Sequence, residues 1–188
     1  MKKILLVVLA LLVGLPGFAQ EQELTKKEQR QLQKQLKKEQ QEEQARQQAA
    51  LISLMVEYRR FVLEADRLRD KRGNTVNVPS NLNFVASDSI TGVIQIGSHQ
   101  YVGSNGVGGI TVEGTITNYQ FSRHEKSGTY TVSYNIRSST GHYDIQMSVF
   151  PDGRADATVS SNWPGRVNYS GYLVPPAQSR VWKGTTRY

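Results

Sequence analysis

Apolar and polar residues alternate along most of the chain after residue 75, and turn sequences separate the alternating runs. Apolar side chains at every second position put one face of a strand inward. The strands predicted in this way are 82–85, 90–96, 110–121, 130–136, 143–149, 155–159 and 167–174. Such a series without intervening helices predicts a mainly β protein, built as an antiparallel sandwich or a flattened barrel.

Residues 20–50 have a different pattern, with few apolar positions and no glycine or proline. They consist almost wholly of strong helix formers, so we predict a long polar N-terminal helix that precedes a β-rich globular domain at 51–188. Its leucines, such as Leu32 and Leu36, are too sparse to form a face that packs against a core. This arm is interpreted as a solvated spacer, with a weak coiled coil that forms a homo-oligomer as the alternative.

The segment that joins the two parts has two interpretations. Its apolar residues recur at intervals of three and four, as on one side of a buried helix, and are Leu51, Leu54, Tyr58, Phe61, Ala65 and Leu68. The run Phe61-Val62-Leu63 is also typical of the start of a strand, which would continue to Leu68. The sequence alone leaves residues 58–68 open between helix and strand.

The first nineteen residues have the composition of an export signal. Lys2 and Lys3 precede an apolar run from Ile4 to Leu15, and small residues stand before the bond between Ala19 and Gln20. The run is shorter than a membrane span, so we predict a signal peptide at 1–19 that is cleaved after Ala19. A soluble periplasmic or secreted protein with no integral membrane segment is the expected product.

Composition and charge exclude several kinds of site and partner. The chain contains no cysteine, so it has neither disulfides nor thiolate ligands. Its net charge is +7, and without Lys2 and Lys3 the 21 basic side chains exceed the 16 acidic ones by only five. Neither half concentrates Lys and Arg among stacking aromatics, so we expect no nucleic-acid partner.

The region 57–188 resembles a family of exported proteins of Gram-negative bacteria known as domain of unknown function 4251. The matching pieces are Phe61-Val62-Leu63-Glu64-Ala65-Asp66, Asn83-Phe84-Val85, Val93-Ile94-Gln95, Asn105-Gly106-Val107-Gly108-Gly109, Thr111-Val112-Glu113-Gly114, Asp152-Gly153-Arg154-Ala155 and Gly171-Tyr172-Leu173-Val174-Pro175. The resemblance implies an exported globular domain after a leader and a polar helical stretch. It implies no catalytic residue.

Two local features are candidates for ligand binding. The first is the glycine cluster with Asn105, Gly106, Gly108 and Gly109, whose exposed amides could grip a ligand. No helix or lysine follows it as a phosphate loop requires, and close backbone packing is the alternative role of these glycines. The second is Trp163, which stands in the loop sequence Asn162-Trp163-Pro164-Gly165 and could anchor a partner or cap the domain.

The sequence predicts no catalytic residue, no metal ligand and no cofactor. His99, His124 and His142 lack the mutual spacing of a zinc site, and the common serine-nucleophile motifs are absent. The leading hypothesis is therefore a non-enzymatic periplasmic protein whose β domain binds an unknown envelope partner or a small molecule. The alternative is a hydrolase that acts on cell-envelope polymers or lipids, which requires acidic or histidine side chains to converge in a cleft.

Overall fold

A computed structural model of the 188-residue protein describes residues 26–100, 105–161 and 165–186. These residues form one helix, nine strands and a short 3-10 turn at Pro176–Gln178. The elements are α1 (Lys26–Glu57), β1 (Arg60–Arg69), β2 (Thr75–Asn77), β3 (Phe84–Asp88), β4 (Thr91–Ile96), β5 (Ile110–Arg123), β6 (Tyr130–Ser138), β7 (Gly141–Val149), β8 (Arg154–Ser161) and β9 (Arg166–Val174). Contacts divide the chain into Met1–Gln40 and Gln41–Tyr188, so the second half of α1 belongs with the strands.

Eight of the strands close into an antiparallel barrel. Strands β3 to β9 follow one another as a meander, and β1 pairs with β3 on one side and β9 on the other. The short strand β2 is added to the end of β1, where Leu68 lies opposite Val76. The prediction of a mainly β fold after a polar N-terminal helix is confirmed, and the barrel is the form that it takes. Closure leaves no free edge among the eight barrel strands.

The strand interpretation of residues 58–68 is the correct one. Helix α1 ends at Glu57, Arg59 has a positive φ of 58°, and β1 begins at the next residue. The left-handed backbone at Arg59 stops the helix and redirects the chain. The helical interpretation is wrong from Arg60 onward because these residues form β1. Leu54 and Tyr58, two members of the proposed stripe, are 51% and 67% exposed.

The last turns of α1 cover one end of the barrel. Ile52, Met55 and Val56 are buried and belong to the same hydrophobic core as the inward side chains of the strands. Two barrel tyrosines also bind this part of the helix. The Tyr119 hydroxyl donates to the Val56 carbonyl oxygen at 2.7 Å, and the Tyr130 hydroxyl donates to Ser53 Oγ at 2.9 Å. This end of the barrel is therefore closed by the chain itself.

The chain after β9 runs along the outer face of β4 and β5. Gln95 is fully buried beneath it and makes four hydrogen bonds. Its Nε2 donates to the carbonyl oxygens of Leu82 and Trp182 at 3.1 and 2.8 Å. Its Oε1 accepts from the Gly184 amide at 2.7 Å and from Thr111 Oγ1 at 3.0 Å. Every hydrogen-bonding site of this buried amide side chain is used, as burial of a polar group requires.

An ion pair between Lys183 and Glu113 also holds this C-terminal segment. Lys183 Nζ donates to Glu113 Oε2 at 2.6 Å, and Thr186 Oγ1 donates to the same oxygen at 3.1 Å. The hydrogen bond from Lys183 is the main cause that lowers the pKa of Glu113 below its ordinary value. The carboxylate therefore stays charged as the pair requires.

Within the described ranges, no helix is both long enough and apolar enough to cross a membrane. The signal peptide predicted at 1–19 and its cleavage site lie outside the described residues, so export stays a prediction.

Candidate ligand-binding site

An apolar cavity lies in the barrel at the end opposite the last turns of α1. Its volume is about 280 Å³. The lining residues come from β4, β5, β7, β8, β9 and the position just before β9, and are Ile94, Ile96, Ile110, Val112, Tyr143, Val159, Ser160, Ser161, Gly165, Val167 and Tyr169. Most of them are inward members of the alternating strands. The cavity is therefore a part of the barrel interior that the described side chains leave unfilled.

Buried side chains form the inner wall of the cavity. Ile94, Val112 and Val159 are each less than a tenth exposed, and Tyr169 is almost completely buried. The Tyr169 hydroxyl donates to the Gln95 carbonyl oxygen at 3.4 Å, and burial raises the pKa of this phenol. Tyr169 therefore stays uncharged, and the inner wall is apolar apart from one neutral hydroxyl.

The outer part of the cavity carries neutral hydroxyl groups beside apolar ones. Tyr143 is half-buried, lies opposite Ser161 in the pairing of β7 with β8, and places its hydroxyl 3.3 Å from Thr140 Oγ1. Because directly opposed residues share a face, Tyr143 and Ser161 both face the interior. Ile110 is 63% exposed although it lines the cavity, so the cavity reaches solvent at this position.

Arg166 and Arg137, which lie on or beside the lining strands, are on the outer face of the barrel. Arg166 stands between the lining residues Gly165 and Val167, and alternation along β9 directs it away from the interior. In the pairing of β6 with β7, Ile136 lies opposite Tyr143 and both face inward. Arg137 is the next residue after Ile136 and lies opposite His142, so it also points outward. No Lys, Arg, His, Asp or Glu lines the cavity among the described residues.

The structure gives the glycine cluster a clear structural role. Asn105 is buried, its Oδ1 accepts from the amides of Val107 and Gly109 at 3.1 and 2.9 Å, and its Nδ2 donates to Thr111 Oγ1 at 3.1 Å. Gly106 has a φ of +77°, which L side chains rarely adopt. A Cβ at Gly109 would lie 2.1 Å from the Ile96 carbonyl oxygen. The side chain of Asn105 therefore organises the loop.

The five predicted site residues are placed differently relative to the cavity. Asn105 and Gly109 line a hollow of about 150 Å³ that shares Ile110, Val112 and Tyr143 with the main cavity. Gly106 and Gly108 have positive φ and shape the loop without lining either space. Trp163 lies outside the described residues. A direct role in ligand binding stays a prediction for all five residues.

Sequence reasoning missed the residues that line the cavity, although it predicted their strands. Ile94, Val112, Val159 and Val167 were visible as inward positions, which normally form a filled core. Only the closed barrel shows that these inward side chains leave an unfilled space between them. The small inward residues Ala155 and Ala157 were no signal of it, because they belong to the core and do not line the cavity.

The histidines do not form a site in the structure. Across the described ranges, no three side chains of His, Cys, Asp or Glu are grouped so that they could hold a metal ion. His124 instead closes the turn between β5 and β6, where its Nδ1 lies 3.0 Å from Ser127 Oγ. Neither His124 nor His142 lines the cavity.

Comparison with known families identifies the chain. The model of the family described as Domain of unknown function (DUF4251) matches residues 39–173. The chain belongs to the DUF4251 family. A crystal structure of a DUF4251 family protein from Bacteroides eggerthii DSM 20697 is similar, with 30% sequence identity and a TM-score of 0.60. The similarity covers 70% of this chain and 90% of that chain.

The family assignment confirms the resemblance that the sequence indicated. No curated protein matches the chain. The DUF4251 match begins within α1 and ends at Leu173, so it includes the closing turns of the helix and every residue that lines the cavity. The cavity thus belongs to the matched domain and not to an addition outside it.

Proposed function

We propose that this DUF4251 protein is an exported binding protein that holds a small apolar molecule in the barrel cavity. The observation that carries the proposal is an unfilled apolar cavity of about 280 Å³ that reaches solvent at Ile110. Ligand sites in proteins are typically concave and mainly apolar, with a few polar groups that orient the ligand, and range upward from about 300 Å³. The cavity has this apolar character, and its volume lies at the small end of that range.

The character of the lining supports binding over hydrolysis. A hydrolase acting on envelope polymers or lipids needs a nucleophile with a base, or two carboxyl groups, that converge on the substrate. The described lining offers only aliphatic groups, glycine, serine and tyrosine. Tyr169, the most deeply buried of its hydroxyl groups, has a raised pKa and is therefore a poor base at neutral pH.

Export is part of the proposal and rests on the sequence of residues 1–19. The charged start, the apolar run and the small residues before Gln20 support a leader that is removed. The remaining polar helix would then act as a spacer ahead of the barrel. Determination of the N-terminal residue of the protein isolated from its own cell envelope tests this part, and a mature chain that still begins at Met1 contradicts it.

Occupation of the cavity is tested with naphthalene, an uncharged fluorescent hydrocarbon. Val167→Trp fills the cavity from β9, and we expect it to weaken naphthalene binding by about tenfold or more, because the indole takes the ligand's space. Val76→Trp is the matched control, since Val76 is 57% exposed on β2 and does not line the cavity.

Binding is measured by fluorescence titration, and the fold of each variant is checked by its melting temperature. Equal weakening by Val167→Trp and Val76→Trp contradicts the proposal, as does the absence of naphthalene binding to the unaltered protein. Ile110→Asp provides a second variant with little risk to folding, because Ile110 is exposed. It places a charge at the edge of the cavity and should also weaken binding.

A further inference from the structure

We infer that the cavity selects an uncharged ligand with one short apolar chain or ring and a single hydrogen-bonding group, such as a medium-chain alcohol. This inference rests on the proposed function and names the ligand class for the same cavity. Three features of the structure carry it: the absence of charge in the described lining, the position of the neutral hydroxyl groups, and the volume.

The absence of charge in the described lining disfavours an ionised ligand. A carboxylate or ammonium group that leaves water needs an opposite charge or several hydrogen bonds to compensate for its desolvation. Arg166 on β9 and Arg137 on the neighbouring strand β6 occupy outward positions. Glu113 and Asp144, which directly follow lining residues, also occupy outward positions. A ligand that is neutral avoids this cost, because its apolar part needs only apolar contacts.

The distribution of polar groups gives the ligand an orientation. The inner wall consists of Ile94, Val112, Val159 and the ring of Tyr169, whose hydroxyl already donates to Gln95. Tyr143 is half-buried, and its hydroxyl lies 3.3 Å from Oγ1 of the exposed Thr140, nearer the solvent end. An apolar chain therefore enters first, and a hydroxyl or carbonyl group of the ligand stays near Tyr143. Tyrosine and serine hydroxyls can either donate or accept, so they suit such a neutral group.

The volume limits the size of the apolar part. The cavity has a volume of about 280 Å³. A group of the size of a water molecule or a methylene takes up about 30 Å³, so the cavity holds roughly nine such groups. An apolar cavity of about 150 Å³ is sufficient for benzene. The cavity therefore fits one medium-length chain or a small ring system, and a lipid with two long acyl chains exceeds it severalfold.

The decisive experiment compares three ligands that share one chain and differ in charge. Nonanol, nonanoate and nonylammonium are titrated calorimetrically into the intact protein at neutral pH. We expect nonanol to bind about tenfold or more tightly than either ion, since the described lining offers the ions no group of opposite charge. Val167→Trp should abolish nonanol binding, and Val76→Trp should leave it unchanged.

The possible results separate this inference from the proposed function. If nonanoate or nonylammonium binds as tightly as nonanol and Val167→Trp blocks all three, the cavity binds ligands but the inference about charge is wrong. If none of the three binds and naphthalene also fails, both proposals are wrong. Nonanol binding that survives Val167→Trp places the ligand elsewhere and contradicts the inference.

A chain-length series tests the size limit. Each added methylene should strengthen binding by about fourfold while it still enters the cavity. We expect this increase from hexanol to about nonanol and a plateau for longer alcohols. A steady increase up to hexadecanol contradicts a cavity of this size.

A cation added at the edge of the cavity tests the role of charge directly. Ile110→Lys introduces an ammonium group at a lining position that is 63% exposed, so the fold should tolerate it. We expect nonanoate to bind about tenfold more tightly to this variant than to the unaltered protein, and nonanol to bind no more tightly, because it carries no charge for the ammonium group to attract. Ile110→Met is the matched control without charge, and an equal gain there contradicts the explanation.

Discussion

Tyr134 carries the one buried side-chain oxygen or nitrogen among the described residues that has no hydrogen-bond partner. Its ring is 2% exposed, stacks on Tyr119 with 5.6 Å between ring centroids and meets Phe61 edge-on at 6.4 Å. Burial raises the pKa of its phenol, so the group is a neutral donor without an acceptor. The ring stabilises the core through these contacts, whereas the unpaired hydroxyl lowers stability.

Removal of that hydroxyl should therefore stabilise the protein. We expect Tyr134→Phe to raise the free energy of unfolding by about 1 kcal/mol, because the ring contacts remain and an unsatisfied polar group is lost. Tyr130→Phe is the matched control, since its hydroxyl donates to Ser53 Oγ at 2.9 Å and its loss should cost about 1 kcal/mol. Denaturant unfolding of both variants decides the question. A loss of stability for Tyr134→Phe similar to that of the control contradicts the prediction.

The end of helix α1 is the element that most affects the barrel. Its final turns bury Ile52, Met55 and Val56 in the barrel core, and the Tyr119 hydroxyl binds the Val56 carbonyl oxygen. Arg59 then turns the chain into β1, so the same element closes one end of the barrel and begins its first strand. We infer that these turns are a folded part of the domain, unlike the polar helix before them.

Replacing a side chain by alanine should lower stability by unequal amounts on the two sides of this helix. Ile52→Ala removes a fully buried side chain, and we expect it to lower the free energy of unfolding by about 3 kcal/mol. Leu54→Ala lies two residues away on the exposed side and should change stability by less than about 0.5 kcal/mol. Both values come from denaturant unfolding under the same conditions. Similar losses for the two variants would show that the helix packs in another orientation.

Most barrel strands could be predicted from the sequence because they need only a local pattern. The runs 130–136 and 143–149 alternate clearly, and the structure places them in β6 and β7. The junction at Arg59 could not be predicted, because the segment satisfies both the helical and the strand spacing and tertiary contacts decide between them. Strand β2 was also missed, since its three residues are all exposed and show no alternation.

At the scale of the whole molecule, closure explains why the cavity was not predicted. Strand β1 pairs with β9, so that Leu63 lies opposite Leu173, more than a hundred residues later. No local pattern encodes that pairing, and without it the inward side chains have no defined interior to line. Asn105 and Gly109, two of the residues that the sequence singled out, lie beside the cavity, and their role in binding stays a prediction. They were noticed because a glycine cluster indicates close backbone packing in any fold.

The division of the chain at Gln40 leads to a prediction for the whole molecule. Every described residue from 26 to 40 is exposed, whereas the unit from Gln41 onward contains the barrel and the buried turns of α1. We expect a variant that begins at Gln41 to keep its melting temperature within about 2 °C, since it loses no buried contact. Its nonanol affinity should also be unchanged, because the lining residues are all retained.

A shorter variant that begins at Tyr58 is the matched control. It lacks Ile52, Met55 and Val56, and we expect it to melt at least about 10 °C lower or to fail to fold, because burial of the three side chains is lost. Calorimetry gives the melting temperatures, and sedimentation equilibrium gives the masses of the intact protein and the variant that begins at Gln41. The same number of chains in both supports the spacer role of the polar helix, since an assembly held by that helix would dissociate when it is removed. A large fall in melting temperature for the Gln41 variant contradicts the prediction, because it would show that the first half of α1 stabilises the barrel.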